Sequence, residues 1–231
     1  SKTSGTPPAL QELLGAQGQD PSDLNVPYVL SDMSDDAIAV LDAVGVEKAH
    51  LVGVSMGGMI AQTMVIEHPE RISSLTSIMS TTGNPEVGAA KPELMMQMPL
   101  SVPTSKEEAI ANSVETFRLI SGPHFDPEDH ANETAMTYDR NWNPNAQGFQ
   151  IAAIFASGDR TEALRTVDVP ILVIHGRLDP LVQISGGEAT ASAAPNSKLV
   201  VFDDMGHDLP EALWADITDE IINHAQATAE N

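Results

Sequence analysis

Three residues stand in contexts that would let them act together. Ser55 lies in the stretch Leu51 to Ile60, LVGVSMGGMI, where an apolar run hands over to a helix-like one. A hydroxyl held between Gly53 and Gly57 on a sharp strand-to-helix turn has the setting of an activated nucleophile. A serine hydroxyl is weakly nucleophilic at neutral pH, so it needs a base, and the base needs an acid to orient it. PILVIHGRLDPLV puts Asp179 just after a second apolar run, and KLVVFDDMGHDLP puts His207 just after a third. The chain order is nucleophile, acid, base, with each residue in the loop that follows its own strand. The backbone N–H of Met56, at the start of the following helix, can donate to an oxyanion. Gly53 and Gly57 are expected to keep strand and helix from clashing as they cross.

Other residues compete for these roles. Asp203 and Asp204 are alternative acids, but they precede His207 too closely to reach around it easily. His50, His68, His124, His130 and His224 fall in or beside helices or in the central segment, where solvated or packed roles are expected. His175 sits at a strand end and is expected to brace the acid loop. No HxxxH or HExxH pair occurs, so no metal site is expected. GVSMGG lacks the lysine of a phosphate-binding loop.

The elements that position these residues can be read from periodicity. A helix spans the region of Met33, Ala37, Val40, Leu41 and Val44, capped by Ser31 or Ser34 and stopped at Gly45. Ala49 to Val54 reads as a buried parallel strand, Gly57 to His68 as a helix, and Leu75 to Met79 as a strand. Residues 1 to 27 read as loop with one short helix near Leu10 to Leu14. From residue 84 to about 160 prolines interrupt helical stretches such as Lys106 to Ile120 and Gln147 to Ala156, and no strand is evident. Strands return at Pro170 to His175 and Lys198 to Phe202. A last helix carries Leu213, Trp214, Ile217 and Ile221 on one face. The fold class expected is α/β, a mostly parallel sheet with flanking helices. Its core segments are 1–83, with the turn at Ser55, and 166–231, with the acid and histidine. Residues 84–165 form an inserted helical cap. Met95, Met98, Phe117, Tyr138, Trp142 and Phe149 in that insert are candidate pocket residues, with core packing equally open for each.

Composition narrows the partners. The 231 residues hold 33 acidic and 11 Lys or Arg side chains, a formal charge of −22. Such a field repels nucleic acid and anionic membranes and favours a small neutral substrate. There is no cysteine, which excludes disulfides and thiolate chemistry. No signal-like segment is seen, and no apolar run reaches about 18 residues. The expectation is a soluble, cytoplasmic protein.

The segments LVGVSMGGMIAQTMVIEHPERISSLTSIMST, HGRLDPLV and DMGHDLP resemble the nucleophile, acid and histidine segments of the α/β-hydrolase superfamily. Within it the chain is similar to bacterial serine esterases of the aclacinomycin methylesterase and proline-iminopeptidase-like group. The resemblance implies hydrolysis of a carboxylic ester or related acyl bond without a cofactor. Related enzymes with an Asp nucleophile, haloalkane dehalogenases and epoxide hydrolases, are disfavoured by Ser55. Perhydrolase, aminopeptidase and non-catalytic ligand-binding readings stay open. The resemblance also implies strands and a His-Gly loop upstream of Ser55 that the chain does not show, roughly 60–70 residues of a domain of typical size. On that reading Leu51 to Val54 is an exposed sheet edge, open to cover by a second copy. Part of the oxyanion site is then lacking, and the chain is aggregation-prone and weakly active.

Overall fold

The computed structural model describes residues 7–8, 26–98, 102–143 and 145–229. The short helix expected near Leu10 to Leu14 lies outside them. Four strands, β1 (Ala49–Val54), β2 (Ile72–Ile78), β3 (Ile171–Gly176) and β4 (Ser197–Phe202), form one parallel sheet in the order β1-β2-β3-β4. Every residue of β3 is buried. Ile171 and Val173 face one apolar cluster, and Leu172 and Ile174 face another. That is the two-residue alternation of a pleated strand covered on both sides, which demands apolar residues at successive positions.

Helices α1 (Leu30–Ala43), α2 (Met56–Glu67) and α8 (Ser185–Ala193) line the first cluster through Ile38 and Leu41, Met64 and Val65, and Ala193. On the other face, α9 (Trp214–Ala229) contributes Ile217 to the second cluster, which also holds Leu213, Met205, Ile78 and Met79. The chain between β2 and β3 holds only helices among its described residues: α3 (Pro92–Gln97), α4 (Lys106–Ile120), α5 (Pro127–Arg140), α6 (Ala146–Ala156) and α7 (Thr161–Leu164). The Ser105 side chain caps α4, and Asp126 caps α5, which opens with Pro127. No helix of the described residues is long and apolar enough to cross a membrane.

Tertiary contacts moved several elements from their expected places. β2 begins at Ile72, three residues early, because Ile72 is buried in the first cluster. α1 is not capped by Ser31 or Ser34. It starts at Leu30, whose N–H donates to Ser157 Oγ (2.9 Å), and the Asp32 carboxylate accepts from Val29 N–H (2.8 Å). Ser34 is buried inside the helix. Of the predicted face, Ala37 and Leu41 pack half-buried against the first cluster, joined by Ile38, and Leu30 is buried at the helix start, while Val40 and Val44 are 62% and 66% exposed. Trp214 likewise turns outward, with its indole N–H on Leu209 O. β1 is buried on one face only. Leu51 packs into the first cluster, and Val52 and Val54 are exposed on the face where α9 lies over β2 and β3.

Burial holds His130, His175 and His224 below the ordinary histidine range. The unfolded chain therefore binds more protons than the folded one once the pH drops below about 6.5. Stability present above that value is lost as the pH falls through the depressed folded values. The expected outcome is a lower midpoint of thermal unfolding at pH 5.5 than at pH 7.5; equal midpoints would contradict it.

Candidate active site

In a parallel sheet the C-terminal ends of all strands lie along one edge, and the loops that leave them meet there. Ser55 leaves β1, Asp179 leaves β3 and His207 leaves β4. The turn at Ser55 is tight. Its φ of 53° lies in the left-handed region that side chains avoid, at a cost of about 1–3 kcal/mol. Surrounding bonds hold it there. Ser55 N–H donates to Ile78 O (2.9 Å), continuing the β1–β2 ladder, and Ser55 O accepts from Gly58 and Met59 N–H, opening α2. Gly53 is required at the crossing, since a Cβ there would stand 2.3 Å from Gly57 O. The matching expectation for Gly57 is corrected: a Cβ on Gly57 meets nothing within 4 Å, because the backbone turn points that position away from β1.

The three sequence-predicted side chains form one chain of hydrogen bonds. Asp179 Oδ1 accepts from the backbone N–H groups of Leu181 and Val182, both at 2.9 Å. Its Oδ2 accepts from His207 Nδ1–H at 2.7 Å. A carboxylate can only accept, so Nδ1 carries the proton and Nε2 is left as an acceptor. Nε2 lies 2.9 Å from Ser55 Oγ, whose hydroxyl donates to it. Asp179 and His207 are buried and Ser55 is half-buried, so the hydroxyl sits at the solvent-facing end. Met56 is the first residue of α2, where backbone N–H groups have no partner within the helix and the helix dipole is positive.

The rival residues are engaged elsewhere. Asp203 pairs with Arg177 and Asp204 with His124. His50 bonds Ser74, His68 bonds Asp35, and His130 bonds Ser113. His175 is fully buried, and its Nε2–H donates to Val182 O (2.7 Å), bracing the acid loop from below as expected. Asp35, Glu67 and His68 are a group whose ligand atoms lie within 4.8 Å of one another. They sit at the C-terminal end of α2, about 18 Å along the helix from Ser55.

The six pocket candidates have varied surroundings. Phe117 lies against the His130 ring (4.0 Å between centroids), and Tyr138 stacks on Trp142 (4.7 Å). Phe149 is buried, while Met95 and Met98 are half-buried. A cavity of about 560 Å³ opens beside Lys48, Ile72 and Pro170, at the N-terminal ends of the strands. None of the six lines it.

Arg160 was not legible in the sequence. It is buried, its Nε–H donates to Gln62 Oε1 (3.3 Å) and its Nη2–H to Thr81 O (3.0 Å). Gln62 in turn donates to Ser77 Oγ (3.3 Å), so the guanidinium ties α2 to the chain leaving β2. Burial brings its pKa down to about 10. A lone arginine reads as surface in any sequence; only the packing reveals it.

A sharp turn carrying a serine, with an acid and a histidine brought to it from later strands of a parallel sheet, is an arrangement that acyl-hydrolase chemistry can use. Residues 5–211 match the family described as alpha/beta hydrolase fold, and the chain belongs to that family. It is similar to rhodomycin D methylesterase of Streptomyces sp. (strain C5), with 28% identity over 222 residues, 87% of this chain and 74% of the relative. It is also similar to 2-hydroxymuconate semialdehyde hydrolase of Pseudomonas putida, with 30% identity over 183 residues, 74% of this chain and 60% of that one. Among solved structures, an esterase from Rhodococcus sp. ECU1013 shares the fold with a TM-score of 0.67 at 22% identity, covering 84% of this chain and 71% of the other.

The two glycines of the turn should respond in opposite ways. Gly53→Ala is expected to destabilise by about 1–3 kcal/mol, since the added methyl meets backbone. Gly57→Ala is expected to be neutral or to stabilise by up to about 1 kcal/mol, as a helical glycine with open space beside it. Chemical denaturation of both variants is the check.

Proposed function

We propose that the chain is a serine esterase that cleaves carboxylic esters of small molecules. The observation that carries this reading is the unbroken chain Ser55 Oγ, His207 Nε2, His207 Nδ1, Asp179 Oδ2, with contacts of 2.9 and 2.7 Å. It ends on a serine held at positive φ. The esterase and hydrolase names of the relatives support the same reaction class.

Ser55 Oγ attacks the acyl carbon while His207 Nε2 takes the hydroxyl proton. Asp179 holds the imidazole in the required tautomer and offsets the charge it gains. The Met56 N–H, at the positive end of α2, donates to the oxygen that becomes negative in the tetrahedral intermediate. Collapse breaks the bond to the alcohol oxygen, which leaves with the proton from His207. Water, deprotonated by the same histidine, then attacks the acyl-serine, and the acid product departs with Ser55 restored. Nucleophile, base and orienting acid all come from the chain. Residues 84–165, which hold α3–α7, act as a cap that shapes the acyl and alcohol sites.

The test is hydrolysis of p-nitrophenyl acetate and butyrate by the purified chain, with labelling by a fluorophosphonate. Turnover and labelling are expected in the wild type and lost in Ser55→Ala, with the unfolding midpoint nearly unchanged. Asp179→Asn is expected to lower kcat by about 10⁴-fold by mis-setting the histidine tautomer. Labelling no faster than that of free serine would sink the esterase reading and favour a ligand-binding role. A harmless Asp179→Asn would remove Asp179 from the mechanism.

A further inference from the structure

The backbone of His207 is gripped by a distant part of the chain. Its N–H donates to Ile120 O (2.7 Å), the carbonyl of the last residue of α4. Two residues on, Gly122 N–H donates to Asp208 Oδ1 (3.1 Å), and the same oxygen accepts from Gly206 N–H (3.0 Å). One carboxylate oxygen thus bonds the residue before His207 and the segment leaving α4 at once. The approach is so close that neither partner tolerates a side chain. A Cβ on Gly206 would stand 2.4 Å from Gly122 N, and one on Gly122 would stand 2.6 Å from Asp204 O. His124 and Asp204, 2.7 Å apart, close the outer side of the same junction.

Electrostatics alone would not place an acid here. Asp208 lies beside the C-terminal end of α4, where the helix dipole disfavours negative charge. What the position supplies is an acceptor for two amides that would otherwise lack one, Gly206 being buried.

We propose that Asp208 is a positioning residue for His207, fastening the histidine loop to the end of α4 so that the helical segment between β2 and β3 sets the base. The proposal rests on the reading of His207 as general base. The imidazole is held at its two nitrogens by Asp179 and Ser55; the main chain beneath it is held by Ile120 and, through Asp208, by Gly122. Release of the second set lets the ring drift while the first set stays chemically intact. A drift of about 1 Å costs about 10²-fold in rate. Substrate binding, made by other groups, changes little, so the loss falls on kcat.

The experiment compares Asp208→Ala, Asp208→Asn and Asp208→Glu for kcat and KM on p-nitrophenyl butyrate, and for amide hydrogen exchange at residues 120–124 and 204–208. Alanine removes the acceptor, and kcat is expected to fall about 10- to 100-fold with KM within about threefold. Asparagine keeps a carbonyl oxygen in the same place and should hold kcat within about threefold of wild type. Glutamate keeps the charge but displaces the oxygen by a methylene, and should lose kcat as alanine does. It serves the same purpose if the alanine variant does not fold. Full kcat in alanine or glutamate, or asparagine as poor as alanine, would overturn the proposal. Exchange is read without turnover: Gly122 and Gly206 amides should both speed up in Asp208→Ala, and a response at only one of them refutes the shared fastening. Turnover that does not depend on Ser55, with both amides responding, counts against the esterase reading and leaves the fastening standing.

Discussion

The structure depends on one crossing, where α2 leaves β1 directly above Gly53. With the Gly57 carbonyl where a Cβ of residue 53 would sit, the chain has no room for a gradual turn, and Ser55 takes a positive φ to make the corner. The strain is local and its support is not. Gly58 through Val65 of α2 are almost all buried, so the helix is fixed by its packing and not by its own sequence preferences. β2 holds the other side of the corner through Ile78 O. Displaced by packing from the conformation it would choose, the serine presents its hydroxyl at the edge of the sheet where the other loops arrive.

The acid shows how a buried charge is accommodated. Asp179 has a fully buried side chain, a costly state for a carboxylate unless its lone pairs are occupied. Its two oxygens divide the work. One is taken by backbone N–H groups of its own loop, which fixes the carboxylate; the other is left for the imidazole. His175 and Val182 lock that loop from beneath. Each layer orients the next, so the directional part of the site lies on rigid strand ends and short braced loops.

Membership of the alpha/beta hydrolase family accounts for this scaffold, and a fold by itself does not fix a substrate. The insert between β2 and β3 reaches the histidine loop by backbone contacts at Ile120 and Gly122.

The sequence by itself determined the elements with strong local signals. β1 and α4 run over the residues that their patterns predicted, and Gly45 takes the positive φ expected of a helix stop. The identities and chain order of Ser55, Asp179 and His207 were legible because each sits just past an apolar run, and a strand that short leaves few places for a turn. What the tertiary structure decided lies where local signals are degenerate. Val40 and Val44 have the same spacing as Ala37 and Leu41, but only Ala37 and Leu41, with Ile38, pack against the first cluster. Gly57 looks like Gly53 in the motif, yet only one of the two is crowded. Arg160 and Asp208 carry no signal at all, since a single charged residue gains meaning only from the groups that packing brings within about 3 Å of it. Local pattern fixes which residues are apolar, bent or capped; which distant polar groups meet is set by the packing of whole elements, and no window of sequence contains that.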